Sequence, residues 1–187
     1  MANKVAFGLN NFHYAIVTEE DGNITYGTPV RHPGAVSLTL DPKGETADFF
    51  ADDIVYYTSS ANQGYDATIE LALITEEFRT DVLGEITSGE GGLLVENANA
   101  KSKKIAIMFE FDGDEKATRH CLLYCTVNRP GLSGNTKTES TEPETTELVM
   151  VASPRPTDLN VKVSTVSTTS EETYNAFYTA VWTGLGA

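Results

Sequence analysis

Ile105-Ala-Ile-Met-Phe-Glu-Phe-Asp-Gly113 and Thr118-Arg-His-Cys-Leu-Leu-Tyr-Cys-Thr-Val127 decide the fold class. In the first, Ile105, Ile107, Phe109 and Phe111 alternate with Ala106, Met108 and Glu110. In the second, Cys121, Leu123, Cys125 and Val127 form one stripe. A period of two puts alternate side chains on one face, as in a strand with one buried side. Asp112-Gly113 between the two runs reads as a hairpin turn.

The same alternation recurs on either side. Val36, Leu38 and Leu40 form one stripe, and Ala67, Ile69, Leu71 and Leu73 another; Val161 and Val163 begin a third. Asp21-Gly-Asn23 links Tyr14–Thr18 to Ile24–Tyr26, and Asp41-Pro-Lys-Gly44 is expected to break a strand. Two helices interrupt the series. Thr75 is placed to cap Glu76–Leu83 with Gly84 as the stop, and Thr169-Ser-Glu-Glu172 fits a capping box. The second helix carries Tyr174, Phe177, Tyr178 and Val181 on one face, which suits docking on the protein's own sheet. These elements predict a mainly β fold over residues 1–187: one domain, a β-sandwich or split barrel with a flanking helix and a C-terminal helix. The polar stretches 84–103 and 130–146 are expected to be mobile.

Charge and chemistry narrow the function. Thirteen Lys and Arg against 27 Asp and Glu give −14, which argues against holding nucleic acid through its phosphates. No apolar run reaches the ~18 residues of a membrane span, and the N-terminus lacks the apolar core of a signal peptide, so synthesis and retention in a cytoplasm are expected. In one regular strand Cys121 and Cys125 share a face roughly 13 Å apart. That is too far for a disulfide, whose α-carbons lie within ~7 Å. His120 points to the opposite face, so two buried structural thiols are expected rather than a metal site. Asp112, Gly113, Asp114 and Glu115 lack the regularly spaced oxygens of a calcium loop. His13, His32 and His120 belong to no triad or metal motif. Asp52-Asp53 and Glu76-Glu77 suit a turn and a helix start, and Gly89-Glu-Gly-Gly92 lacks the lysine of a phosphate loop. The residues point to no catalytic site, no metal and no cofactor.

An ordered series between residues 7 and 85 is more specific. It runs Phe7-Gly-Leu-Asn-Asn-Phe-His-Tyr-Ala15, Ile24-Thr-Tyr-Gly-Thr-Pro-Val30 and Pro33-Gly-Ala-Val-Ser-Leu-Thr-Leu-Asp-Pro42. Phe50-Ala-Asp-Asp-Ile-Val-Tyr-Tyr57, Asn62-Gln-Gly-Tyr65, Ile69-Glu-Leu-Ala-Leu-Ile74 and Glu77-Phe-Arg-Thr-Asp-Val-Leu-Gly84 complete it. The series resembles the major tail proteins of long-tailed, non-contractile bacteriophages, strongly over the first half and in pattern over the second. The resemblance implies a non-enzymatic virion tail component made in the bacterial host. Copies would close into hexameric rings and stack into a tube, meeting tape-measure, terminator and tip proteins. Genomic DNA would pass through without specific binding, and no membrane is involved. On that reading Glu70, Glu110 and Asp112, which alternate with core residues, are candidates for an acidic channel wall, the alternative being that they solvate the exterior. Phe49 and Phe50 are candidates for a subunit interface or for a plug in the core. A carbohydrate- or ligand-binding β-sandwich and a small β-fold enzyme are the rival classes; Trp182, the single tryptophan, falls in the closing helix and counts against the first.

Overall fold

A computed structural model describes residues 3–89, 91–134, 136 and 144–184. The chain runs β1 (Ala6–Glu20), β2 (Asn23–Tyr26), β3 (Val30–Arg31), β4 (Ala35–Lys43), β5 (Thr46–Ala51), β6 (Ile54–Ser60), β7 (Gly64–Leu71) and α1 (Glu76–Asp81). It continues with β8 (Ile86–Thr87), β9 (Leu94–Val95), β10 (Ile105–Gly113), β11 (Thr118–Val127), β12 (Thr146–Ala152), β13 (Lys162–Ser164) and α2 (Glu171–Ala176). Among the described residues one large antiparallel sheet has the order β2-β1-β10-β11-β12-β7-β4, with β3 on β1 and β13 on β11. The sheet curls until β1 approaches β4, which makes it a split barrel.

Curling gives the sheet two different faces. Inside lie Phe12, Tyr14, Ile69, Leu71, Ile105, Ile107, Phe109, Leu122, Leu148 and Met150. Phe78, Val82 and Leu83 belong to this interior cluster, so α1 packs one face against the barrel as a flanking helix while its other residues face outward. Outside, Ala15, Val17, Ala106, Met108, Cys121 and Leu123 pack against Phe177 and Val181, so the closing aromatic stripe docks on the sheet as expected, although only Tyr174 of it lies within α2. β10 is therefore buried on both faces from Ile105 to Glu110, where alternation alone promises one.

Local chemistry sets the turns and caps. Asp21 and Gly22 both have positive φ (49° and 77°), the conformation of a two-residue hairpin turn that follows the strand twist. Thr75 Oγ1 accepts from the Phe78 amide at 3.3 Å, as expected of the cap of α1. The second cap sits one residue later than the capping box suggests: Ser170 Oγ accepts from the Thr173 amide at 3.2 Å. α2 ends at Ala176, which leaves Trp182 beyond the helix. The Asp112-Gly113 turn also shifts; β10 includes both residues and the reversal spans 114–117.

Two bulges overturn simple alternation. Ile105 pairs with Cys125 but Ile107 with Leu122, so β11 carries one extra residue in that interval. The slip puts Cys121 in the outer cluster and Cys125 in the interior, on opposite faces rather than one. Both thiols are free and buried; burial pushes Cys121 up to about 12 and raises Cys125 as well. In β1 the register moves between Asn10 and His13, with Asn11 at φ 51°.

Asp41-Pro-Lys-Gly44 does not end its strand. β4 is an edge strand and continues through Pro42, whose missing amide hydrogen has no ladder partner to lose on the open side. The ribbon of β4 and β7 then runs on into β5 and β6 through Gln63 N to Lys43 O (2.8 Å) and Ala61 N to Glu45 O (3.1 Å). At this root the backbones touch: a β-carbon on Gly44 would fall 1.8 Å from the Ala61 carbonyl oxygen, and one on Gly64 1.9 Å from that of Ala152.

Candidate assembly surfaces

Beyond that root β5 and β6 form an arm that pairs only with itself. Its tip is Asp52-Asp53, both at positive φ (52° and 59°). Phe49 pairs with Tyr57 and Phe50 with Val55, so the shift between them puts large apolar groups on both faces. Phe49, Phe50, Ile54, Val55, Tyr56 and Tyr57 are 49–70% exposed. Among the described residues nothing covers Phe49 and Phe50, so they do not plug the core. Apolar patches this concentrated are characteristic of interaction sites.

The outer face of the sheet has a bare half. On β4, β7 and β12 the residues facing away from the core include Asp41, Asp66, Glu70 and Glu147. Register sets like charges side by side: Glu70 lies opposite Glu147, and Asp41 opposite Asp66. Such pairs repel across adjacent strands. Partial relief comes from Ser37 Oγ, which donates to Glu70 at 2.8 Å, and from Lys43 Nζ at 3.1 Å from Asp66.

Glu110 points from the same face but meets a different fate, which corrects its expected place on an exposed wall. It is 6% exposed, beneath α2. Arg119 Nε lies 2.9 Å from its carboxylate, Tyr178 Oη donates to it at 3.1 Å, and the Asn11 side-chain amide donates to its other oxygen. Arg119 also stacks 3.8 Å over the Tyr174 ring and donates to the Tyr174 carbonyl, so one partly buried ion pair fastens α2 to the sheet. Burial, with the Glu110 carboxylate alongside, pushes the Tyr178 phenol well above its ordinary value. His13 stacks on Tyr178 at 4.5 Å and is lowered, mainly by burial. Asp112 lies half-buried at the end of β10, opposite Phe7. Glu70 is separated from β10 by β11 and β12, so the three acidic candidates do not converge.

The histidines serve structure. His32 Nδ1–H donates to the Pro33 carbonyl (3.0 Å) while Nε2 accepts from the Thr75 amide (3.2 Å), among the rings of Phe12, Tyr14 and Phe78. His120 meets the Ser164 hydroxyl at 2.7 Å and stacks on Phe109.

Residues 84–103, expected to be mobile, are tied down along much of their length. Ile86 pairs with Val95 and Thr87 with Leu94. Glu85 is held by Arg79 at 3.0 Å; Arg129 binds Glu96 and the carbonyls of Asn97 and Ala100. The amide of Lys103 donates to Val82 at 2.8 Å. Ile86, Leu93 and Val95 nevertheless remain exposed, as do Lys101 and Lys103. Sequence reasoning passed over these lysines, although Lys101, Lys103 and Lys104 within four residues stand out in so acidic a chain. Much of the second expected mobile stretch, residues 135 and 137–143, lies outside the described residues.

No protein-family model matches the chain, and no curated protein matches it. Solved structures do. One is a cryo-EM structure of the anti-feeding prophage cap, the AFP tube-terminating cap: 11% identity over 89% of this chain and 95% of that chain, TM-score 0.53. The chain has the fold of a tube cap. Another is the sheath-tube complex of an extracellular contractile injection system, PVC, in the extended state, with 13% identity over 87% of this chain and 93% of that chain, TM-score 0.48.

Proposed function

We propose that this chain is a structural subunit of a phage-type tail tube, of the long-tailed, non-contractile kind its sequence resembles. Copies close into hexameric rings, and the rings stack into a conduit for genomic DNA within the virion tail. Tape-measure, terminator and tip proteins are its neighbours. The observation that carries this reading is the β5–β6 arm, an apolar extension that the chain itself leaves uncovered. The tube-cap fold supports it. A heterologous contact of arm on neighbour either closes a ring or continues a stack.

On this reading the bare half of the sheet, with Glu70, forms the channel wall, and Asp112 stays a candidate at its rim. Glu110 does not, because it is consumed by Arg119. Paired carboxylates that repel each other also repel a duplex, which carries one charge per ~1.7 Å of axis, so DNA slides without a site to hold it.

Negative-stain microscopy and sedimentation velocity of the purified protein test the proposal. Rings or tubes are expected with rising concentration, and folded monomers from Phe49→Ser with Phe50→Ser. Unaltered assembly by that double variant removes the arm from the interface; a wild-type protein that stays monomeric at every concentration removes the tube.

A further inference from the structure

The arm ends in two carboxylates, and the segment after α1 carries exposed lysines that pair with no described carboxylate. Asp52 and Asp53 are exposed at the tip, flanked in sequence by Phe49, Phe50, Ile54 and Val55. They enter no ion pair among the described residues. An arm of this kind fits a surface that is apolar at its centre and basic at its edge.

The segment after α1 has that composition. Ile86 and Val95 lie side by side across the β8–β9 pair with Leu93 next to them, all exposed. Lys101 returns against this segment: a β-carbon on Gly84 would meet the Lys101 carbonyl oxygen at 3.4 Å. The two described carboxylates of the segment are already engaged, Glu85 by Arg79 and Glu96 by Arg129. Lys101 and Lys103 are thus left without a carboxylate among the described residues. The backbone at Lys101 and Lys103 thus runs alongside Gly84 and Val82, just ahead of β8, and its two lysines are cations on a chain of charge −14, where like copies repel one another.

We infer that the Asp52–Asp53 tip of one copy docks on the Lys101–Lys103 strip of a second copy, with the arm's aromatic residues covering Ile86, Leu93 and Val95. The inference rests on the proposed self-assembly and specifies its contact. Charge pairs at the edge fix register and speed encounter, while the apolar centre supplies affinity. Attraction between these patches opposes the repulsion that the net charge imposes elsewhere.

A double-mutant cycle on the full chain tests it, read as the concentration at which half the protein is assembled. Lys101→Glu with Lys103→Glu reverses the strip; Asp52→Asn with Asp53→Asn neutralises the tip with a residue that tolerates positive φ. Reversal of the strip is expected to raise the threshold by roughly tenfold or more against the native tip, and by no more than about twofold against the neutralised one. The difference should shrink as salt is added. Far-UV melts near wild type show that all variants fold. Equal fold-changes in both backgrounds overturn the contact while leaving the tube intact, as does reversal without effect, which frees the strip for a partner other than this chain. Failure of the wild type to assemble overturns the tube reading and this contact together.

Discussion

Glu70 and Glu110 occupy the same kind of position in two strands of one sheet, each a carboxylate alternating with core residues and pointing away from the barrel interior. Glu110 lies under α2, bound by Arg119, Tyr178 and Asn11; Glu70 lies in the open, opposite Glu147. Alternation determines which way a side chain points. Whether anything covers it depends on a helix about 60 residues further along the chain. In one place the carboxylate is a fastener, in the other a source of field.

Substitution separates the two most sharply. Glu110→Ala removes the acceptor shared by Arg119, Tyr178 and Asn11 and should destabilise the fold by roughly 1–3 kcal/mol, the usual cost of leaving largely buried donors unsatisfied. Glu70→Ala should stay within about 0.5 kcal/mol of wild type, as surface changes do. Urea melts measure both, and equal losses would mean that the halves are not distinct.

Acid should act through the buried regions next. His13, His32 and His120 are all lowered from 6.5, chiefly by burial. A group whose folded value is depressed gives stability that is complete above its unfolded value and is lost as pH falls. For His32 burial is the main cause, and a protonated Nε2 would besides face the Thr75 amide as a second donor. The melting temperature should therefore decline as pH drops below about 6.5. A flat profile between roughly pH 8 and pH 5 would remove the histidines from the account.

The smallest effect belongs to the bare half. Glu147→Gln relieves its opposition to Glu70 and should stabilise the protein by a few tenths of a kcal/mol, within the roughly 0.2–1 kcal/mol range of cross-strand pairs. The gain should fade with added salt. A loss of stability instead would show that the two carboxylates are not in repulsion.

The main strands, the cap of α1 and the docking of the closing aromatic stripe were legible because each depends on residues within a few positions; the second cap was legible to within one residue. Bulges were not. One extra residue in β11 sends Cys121 and Cys125 to opposite sides, and nothing in Cys-Leu-Leu-Tyr-Cys announces it. Pro42 misleads for a related reason, since its effect depends on whether the strand lies at an edge. Phe49-Phe50 could be read as interface or core until the arm was seen to leave the sheet. The lysines at 101 and 103 carried a usable signal in their clustering, but their freedom depends on Arg79 and Arg129 having taken the neighbouring acids.

The arm is also a lever. Six residues at ~3.3 Å each make it about 20 Å long, so a tilt of about 5° at its root displaces the tip by nearly 2 Å, to first order. Gly44 and Gly64 hold that root backbone against backbone, with no room for a β-carbon at either point. A methyl group there would alter an angle more than a contact. In the proposed stack that altered angle would accumulate from copy to copy as a change of pitch, so two residues without side chains would set the geometry of a long assembly.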